Sequence, residues 1–475
     1  MNSDPEYGLF IDFGSTFTKV VLVDLENLRV VGRTQRPSTV DRDITIGLNA
    51  ALEDIRNLLG REVPFRYKLA TSSAAGGLKM AAIGLVPELT VEAAKRAVLG
   101  AGAKVIGAYS YRLSRKELDE IERTSLDLIL LAGGTDGGEM ETIISNAKGL
   151  SRLKALRAPI IVAGNKAAVD EVSAALSSGG KEYVVTDNVM PEIGELEVDK
   201  VRAIIRELFI SRLIEAKGLK KAEEFIDEIV MPTPTAVLAS ARLLAEGIEG
   251  NEGLGELVIL DIGGATTDVH SIAKGDATEP GLVKKGLPEP YVKRTVEGDL
   301  GMRYNASTIL QVAGDDFFKE QLDNLGLDLN QAVGRFSRNP EFLPHSEAEK
   351  SLDLELARAA TQCAMERHAG LVETTYGPNG PVNILRGKDL RKVKTIIGTG
   401  GPLIFGPAPD VILRETIFSE ANPCSLRPIN PTLFLDETYL LYAVGLLSER
   451  EPAKALKLGK KYLRKLNTPR ETVRA

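Results

Sequence analysis

Long apolar runs are missing from this chain of 475 residues, so no membrane-spanning helix is expected. Cysteine is scarce. Cys363 and Cys424 are too few for a disulfide framework or a four-thiolate metal site, and two thiols fit a reducing cytoplasm. The three histidines, His270, His345 and His368, are scattered, which excludes a His-rich metal centre. The start of the chain has no basic flank and no apolar h-region, so no secretory signal is read there. Excess positive charge is also absent. With 59 Lys and Arg against 66 Asp and Glu the net charge is −7, and the basic footprint of a nucleic-acid binder is not found.

What is present is an ordinary globular composition, 43% hydrophobic and 26% charged. At roughly 150 residues per domain, about three domains or lobes are expected. Charge is uneven, because residues 451–475 hold eight Lys and Arg and only two Asp and Glu. That segment reads as a terminal helix with a solvated lysine face, or as a docking arm for an acidic partner.

The pattern along the chain is mixed α/β. Strands are predicted at Tyr7–Asp12, Thr18–Leu25, Arg29–Gln35 and Arg66–Thr71, with a helix from Ile44 to Leu59 that stops at Gly60. Strand-like Leu126–Leu131, Pro159–Ala163 and Glu182–Thr186 alternate with helical stretches up to about Lys217, which argues for a mostly parallel sheet. Glu256–Asp261 and Val393–Ile397 are further strands, and Phe434–Leu447 is predicted as an apolar helix.

Two segments resemble one another. FIDFGSTFTKVVLVD at 10–24 and ILDIGGATTDVHSIA at 259–273 each place an aspartate at a strand end, then glycine and small hydroxyl residues, then a second strand. Glycine turns of this kind let backbone amides cradle phosphate oxygens. Asp12 and Asp261 would face a shared cleft, and two carboxylates suit Mg²⁺, which keeps several of its waters. Gly398, Gly400 and Gly401 form a third glycine turn after a strand.

These three motifs resemble the two phosphate loops and the adenosine loop of the actin/Hsp70/sugar-kinase superfamily of ATPases. Asp12 to Lys19 resembles the first phosphate loop, with Lys19 where actin has a phosphate-contacting lysine. Leu260 to Asp268 resembles the second, and Ile396 to Pro402 the adenosine loop. Pro234–Ala239 is similar to the segment linking the lobes in Hsp70, and Tyr439–Leu447 to a second link. Finer cues are the Leu131–Gly138 turn, Thr186–Pro191 and Val296–Gly301. They resemble the MutL/GlmL accessory proteins of adenosylcobalamin-dependent glutamate mutase, with relatives placed beside ornithine aminomutase.

The resemblance implies duplicated ribonuclease-H-like lobes. Lobe I would span 1–250 with an inserted β/α region at about 75–217, and lobe II 251–450, followed by the basic tail 451–475. It implies ATP and Mg²⁺ as cofactors and, as partners, the subunits of an adenosylcobalamin-dependent mutase whose damaged cobalamin is exchanged. Nucleic acid and membrane are not expected partners. Gly14, Ser15, Thr16, Gly263, Gly264, Ala265 and Thr266 would hold the phosphates and Lys19 would neutralise their charge. Gly398, Gly400 and Gly401 would lie against adenosine. Asp12 and Asp261 would hold the hydrated metal or orient the attacking water, in either order. Asp268 matches a metal-side aspartate of Hsp70 and is equally suited to a turn. His270 reads as a packed strand residue. The Gly133–Gly138 turn reads as a strand-to-helix connection, and no G-x-x-x-x-G-K-[ST] run occurs. A small-molecule kinase and an actin-like filament protein are the competing functions on this fold.

Overall fold

The computed structural model describes residues 6–14, 17–39, 43–61, 63–73, 78–216, 225–314, 317–318, 329–340, 342–378 and 380–467. The chain forms two compact units. Residues 76–216 with 286–288 make one, and the remainder makes the other.

The larger unit contains one topology twice. In its first sheet, Tyr7–Phe13, Phe17–Asp24 and Arg29–Pro37 form an antiparallel meander, and Phe65–Ser72 then Glu228–Pro232 add in parallel on the other side of Tyr7–Phe13. In its second sheet, Leu257–Ile262, Thr267–Ile272 and Val292–Glu297 form the meander, and Thr395–Gly400 then Thr432–Asp436 add in parallel. Up to their aspartates both central strands are apolar and buried on both faces. The helix Ile44–Leu59 is set by local chemistry. Asp43 accepts from Thr45 N at 3.0 Å and Gly60 closes the helix at φ 63°.

Each half ends in a helix, Thr233–Glu246 in the first and Leu441–Ser448 in the second. The two helices share one core with Phe10, Ile259 and Ile397 from the two sheets. Gly445 is the point of closest approach, since a Cβ there would lie 2.0 Å from the Ala236 carbonyl oxygen. Gly445→Ala is therefore expected to destabilise the protein. Overpacking against backbone costs about 3 kcal/mol and regained helix propensity returns about 1, a net loss of about 2 kcal/mol measurable by urea unfolding.

Phe434–Leu447 is not one helix. Thr432–Asp436 is a strand, and the helix begins only at Leu441. An apolar run does not distinguish strand from helix by itself. Here Asp436 decides, because its carboxylate accepts from Leu440 N at 2.8 Å and Leu441 N at 3.1 Å and so starts a new helix. The described part of the basic segment that follows, 451–467, is integrated into the unit. Helix Pro452–Lys461 buries Ala455, Leu456 and Leu458, and Leu463–Lys465 pairs with Thr432–Asp436.

The smaller unit is an all-parallel sheet in the order Lys104–Ser110, Lys79–Gly84, Leu128–Leu131, Ile160–Val162, Tyr183–Val185. Read in chain order this is 2-1-3-4-5, a doubly wound arrangement. The Gly133–Gly138 turn follows the third of these strands in chain order. It is tied down by Asn165 and Asn188, whose side chains bond Gly137 N and Gly134 O at 3.0 Å each. Among the described residues no helix is long and apolar enough to cross a membrane.

Candidate functional site

The first hairpin fixes Asp12 at the end of a fully buried strand. Its Oδ1 accepts from Thr233 Oγ1 at 2.6 Å and Thr71 Oγ1 at 3.3 Å, and its Oδ2 lies 3.4 Å from Lys19 Nζ. Lys19 reaches Asp12 because strand register puts the two directly opposite. Gly14 N donates to Phe17 O at 3.0 Å, and a Cβ on Gly14 would sit 2.5 Å from that oxygen, so the turn demands glycine. Ser15 and Thr16 lie outside the described residues.

The second hairpin repeats the construction. Gly263 N donates to Thr266 O at 2.9 Å, and Asp261 takes the strand-end position of Asp12. Thr399 stands beside Asp261 in register as Thr71 stands beside Asp12. The backbone of this loop is held from behind, with Met302 N bonding Gly263 O at 3.1 Å and Arg303 N bonding Gly264 O at 2.8 Å. Asn305 Nδ2 reaches Ala265 O at 3.4 Å. Gly301 permits this, since a Cβ there would meet Ala265 backbone at 2.3 Å. Gly400, at φ 97°, passes so close that a Cβ would come within 2.8 Å of Asp261 Oδ1. Gly398 packs on Leu403 and Leu413, and Gly401 faces open space.

The electrostatics single out Asp261. Burial pushes its carboxyl up to about 7, with repulsion from Asp268, Asp12 and Asp436 adding to the rise and Lys19 opposing it. A carboxyl that titrates near neutrality is matched to proton transfer. Asp268 is differently placed. Arg294 Nε and Nη2 grip its Oδ1 at 2.9 and 2.6 Å, and Thr266 Oγ1 donates to its Oδ2 at 2.9 Å. The structure thus brings Asp12, Lys19 and Asp261 into mutual electrostatic reach and engages Asp268 with Arg294.

Sequence reasoning missed Thr71, Thr233, Thr399, Asp436, Tyr439 and Arg294. Asp436 is buried, accepts from Thr399 Oγ1 at 3.1 Å and is pushed up by burial. Tyr439 places its ring 3.6 Å from Lys19 Nζ. A signal existed for Thr71 and Thr399: once the two hairpins are aligned, the parallel strand beside each offers a threonine at the same register. His270 is a buried strand residue, as its sequence context implies.

Two ribonuclease-H-like sheets in one duplicated strand order, each carrying an Asp–Gly hairpin, define a two-lobed α/β protein of the actin/Hsp70/sugar-kinase class with an inserted parallel β/α unit. The family described as MutL protein matches residues 8–463. Protein MutL of Clostridium tetanomorphum is 48% identical over 459 residues, which cover 96% of this chain and 99% of that one. The chain belongs to the MutL protein family. Looser likenesses reach solved structures. The nucleotide-free structure of acetone carboxylase has a TM-score of 0.40 at 14% identity, covering 94% of this chain and 70% of that one. Xylulose kinase from Bifidobacterium adolescentis has a TM-score of 0.32 at 11% identity, covering 98% and 96%.

Proposed function

We propose that this protein binds Mg·ATP between its two hairpins and hydrolyses it. The conformational change that accompanies hydrolysis would serve to reactivate an adenosylcobalamin-dependent mutase by exchange of damaged cobalamin. Glutamate mutase is the first candidate client and ornithine aminomutase the second. The observation that carries the nucleotide part is the duplicated Asp–Gly hairpin, with Lys19 paired to Asp12 and within electrostatic reach of Asp261. The mutase part is supported by membership of the MutL family.

The donor set fits hydrated Mg²⁺, because Asp12 and Asp261 offer two carboxylates at the hairpin strand ends and such an ion keeps several of its waters. When bound, the ion supplies charge neutralisation to the phosphates. Phosphoryl transfer needs positioning and electrostatics more than covalent chemistry, and the chain's own residues divide those tasks. Gly14 and Gly263–Ala265 keep backbone close to the phosphates, with Thr266 beside them. Lys19 offers its ammonium to phosphate oxygens. Thr71 and Thr233 fix the Asp12 carboxylate. Asp261, once ionised, accepts the proton of the attacking water. Asp268, held by Arg294, orients Thr266 and raises Asp261. Gly398, Gly400 and Gly401 leave room for adenosine.

Phosphate release from Mg·ATP without any acceptor, beside Asp261→Ala, tests this. Turnover is expected in the first and none in the second. If the native protein hydrolyses nothing, alone or with inactivated mutase, the ATPase reading is wrong. Turnover only with a sugar or other acceptor would make it a kinase.

The smaller unit is the proposed client contact. Tyr111 and Ile193 follow strands of its sheet and are 57% and 78% exposed. Tyr111→Asp with Ile193→Asp is expected to weaken mutase binding by at least about tenfold while ATP turnover stays unchanged, because charges are depleted from interface cores. Co-sedimentation and phosphate release read the two quantities separately.

A further inference from the structure

We propose that Tyr439 is a positioning residue for Lys19, and that its ring presents the Lys19 ammonium to the terminal phosphates of a nucleoside polyphosphate. This rests on the nucleotide reading above.

Lys19 has two neighbours with different consequences. Its Nζ lies 3.4 Å from Asp12 Oδ2 and 3.6 Å from the centroid of the Tyr439 ring. A lysine bound only by Asp12 would cancel the charge that a metal ion needs there. An aromatic face attracts the ammonium without a formal negative charge and leaves it free to meet a phosphate oxygen. Burial, and the nearby Asp261 and Asp12 carboxylates, hold the Tyr439 phenol well above its ordinary value, so the ring stays neutral.

The turn that carries Tyr439 is built to hold it. Tyr439 has φ 53°, one of four positive-φ residues other than glycine among those described. Such a conformation persists only where the surroundings impose it. Tyr439 N donates to Asp436 O at 3.2 Å, and the Asp436 carboxylate accepts from Leu440 N and Leu441 N just beyond. The Tyr439 ring rests on Tyr442 with centroids 5.8 Å apart, and Tyr442 OH donates to Phe10 O at 3.1 Å on the Asp12 strand. The second half of the fold thereby sets the position of a cation in the first half.

Tyr439→Phe keeps the ring and Tyr439→Leu removes it. The leucine variant is expected to raise KM for Mg·ATP about fivefold with little change in kcat, and the phenylalanine variant to restore KM. Isotopic reductive methylation reads the contact directly in protein without nucleotide. The Lys19 methyl resonances, assigned with Lys19→Arg, should be displaced by the ring current in native protein and Tyr439→Phe, and not in Tyr439→Leu. Undisplaced Lys19 resonances in native protein, or an unchanged KM in Tyr439→Leu, overturn the assignment. Calorimetric titration of native protein with Mg·ATP separates the two readings. No binding removes the nucleotide reading and this inference with it, whereas binding that Tyr439→Leu leaves unaltered removes this inference alone.

Discussion

Asp261→Asn is expected to reduce ATP turnover by at least about a hundredfold, the usual loss when a positioned base is removed, and to make the folded protein more stable at pH 8. Both effects have one source. The Asp261 carboxyl is pushed up to about 7, chiefly by burial and then by Asp268. For turnover, the ionised form is the base, so native kcat/KM should rise with pH through neutrality, and a metal ion beside the carboxylate would move that limb lower. For stability the sign is opposite. Between the ordinary carboxylate value and about 7, the native state keeps a proton that the unfolded state has lost. Stability therefore falls as pH rises through that window, and the cost is complete above it. The full shift represents about 4 kcal/mol, and the partly open position of Asp261 reduces this to about 2. Asparagine relieves that cost. Rate profiles from pH 5.5 to 9 and urea unfolding of both proteins at pH 8 check the pair of effects. A variant that is inactive and also less stable would mean that Asp261 is structural.

The features legible in the sequence were those with local causes. The strand–Asp–Gly–strand pattern at Asp12 and Asp261 declared both hairpins, because an apolar run, a carboxylate and a glycine turn lie within a few residues of one another. Ile44–Leu59 was visible through its apolar spacing and Gly60. The partners of the carboxylates were hidden, because they are set by sheet order. Thr71 and Thr233 reach Asp12 from 59 and 221 residues away. Arg294 finds Asp268 only after Val292–Glu297 takes its place beside Thr267–Ile272. Tyr439 was assigned to a linking segment, and nothing in Asp436–Leu440 announces a left-handed tyrosine under a lysine. The apolar stretch Phe434–Leu447 reads as a single helix for a related reason. Its first part is a strand only because Thr395–Gly400 lies alongside it.

Acid is expected to weaken the fold through two histidines that lie outside the proposed chemistry. His270 is on the Thr267–Ile272 strand and His368 ends the Glu347–His368 helix, and both are fully buried. Neither His270 nitrogen has a hydrogen-bond partner among the described residues, and His368 Nδ1 lies 2.9 Å from Thr295 Oγ1. The surroundings are cationic. Burial and then Arg294 push His270 down to about 3, against a small opposing effect of Asp268. Burial, Lys293 and Lys388 push His368 well below its usual value. Both rings are thus neutral in the folded state at any pH where the unfolded chain begins to protonate them. Their contribution is whole above about pH 6.5 and is lost as pH falls below it. At pH 5 each histidine costs about 2 kcal/mol, roughly 4 together, a large share of the 5–15 kcal/mol typical of a domain. Urea midpoints followed by tyrosine fluorescence at pH 7.5 and 5 measure the slope. His270→Gln with His368→Gln should abolish that acid loss whatever the variant's absolute stability and leave the opposite slope set by Asp261, and an unchanged slope would refute the account. The same variant separates two effects that run together in native protein. Below neutrality, turnover falls because Asp261 takes up a proton, and the fold weakens because these histidines resist doing so. With both histidines replaced, the activity limb should persist while the stability limb reverses, because Asp261, freed of its buried charge, then stabilises the fold as pH falls.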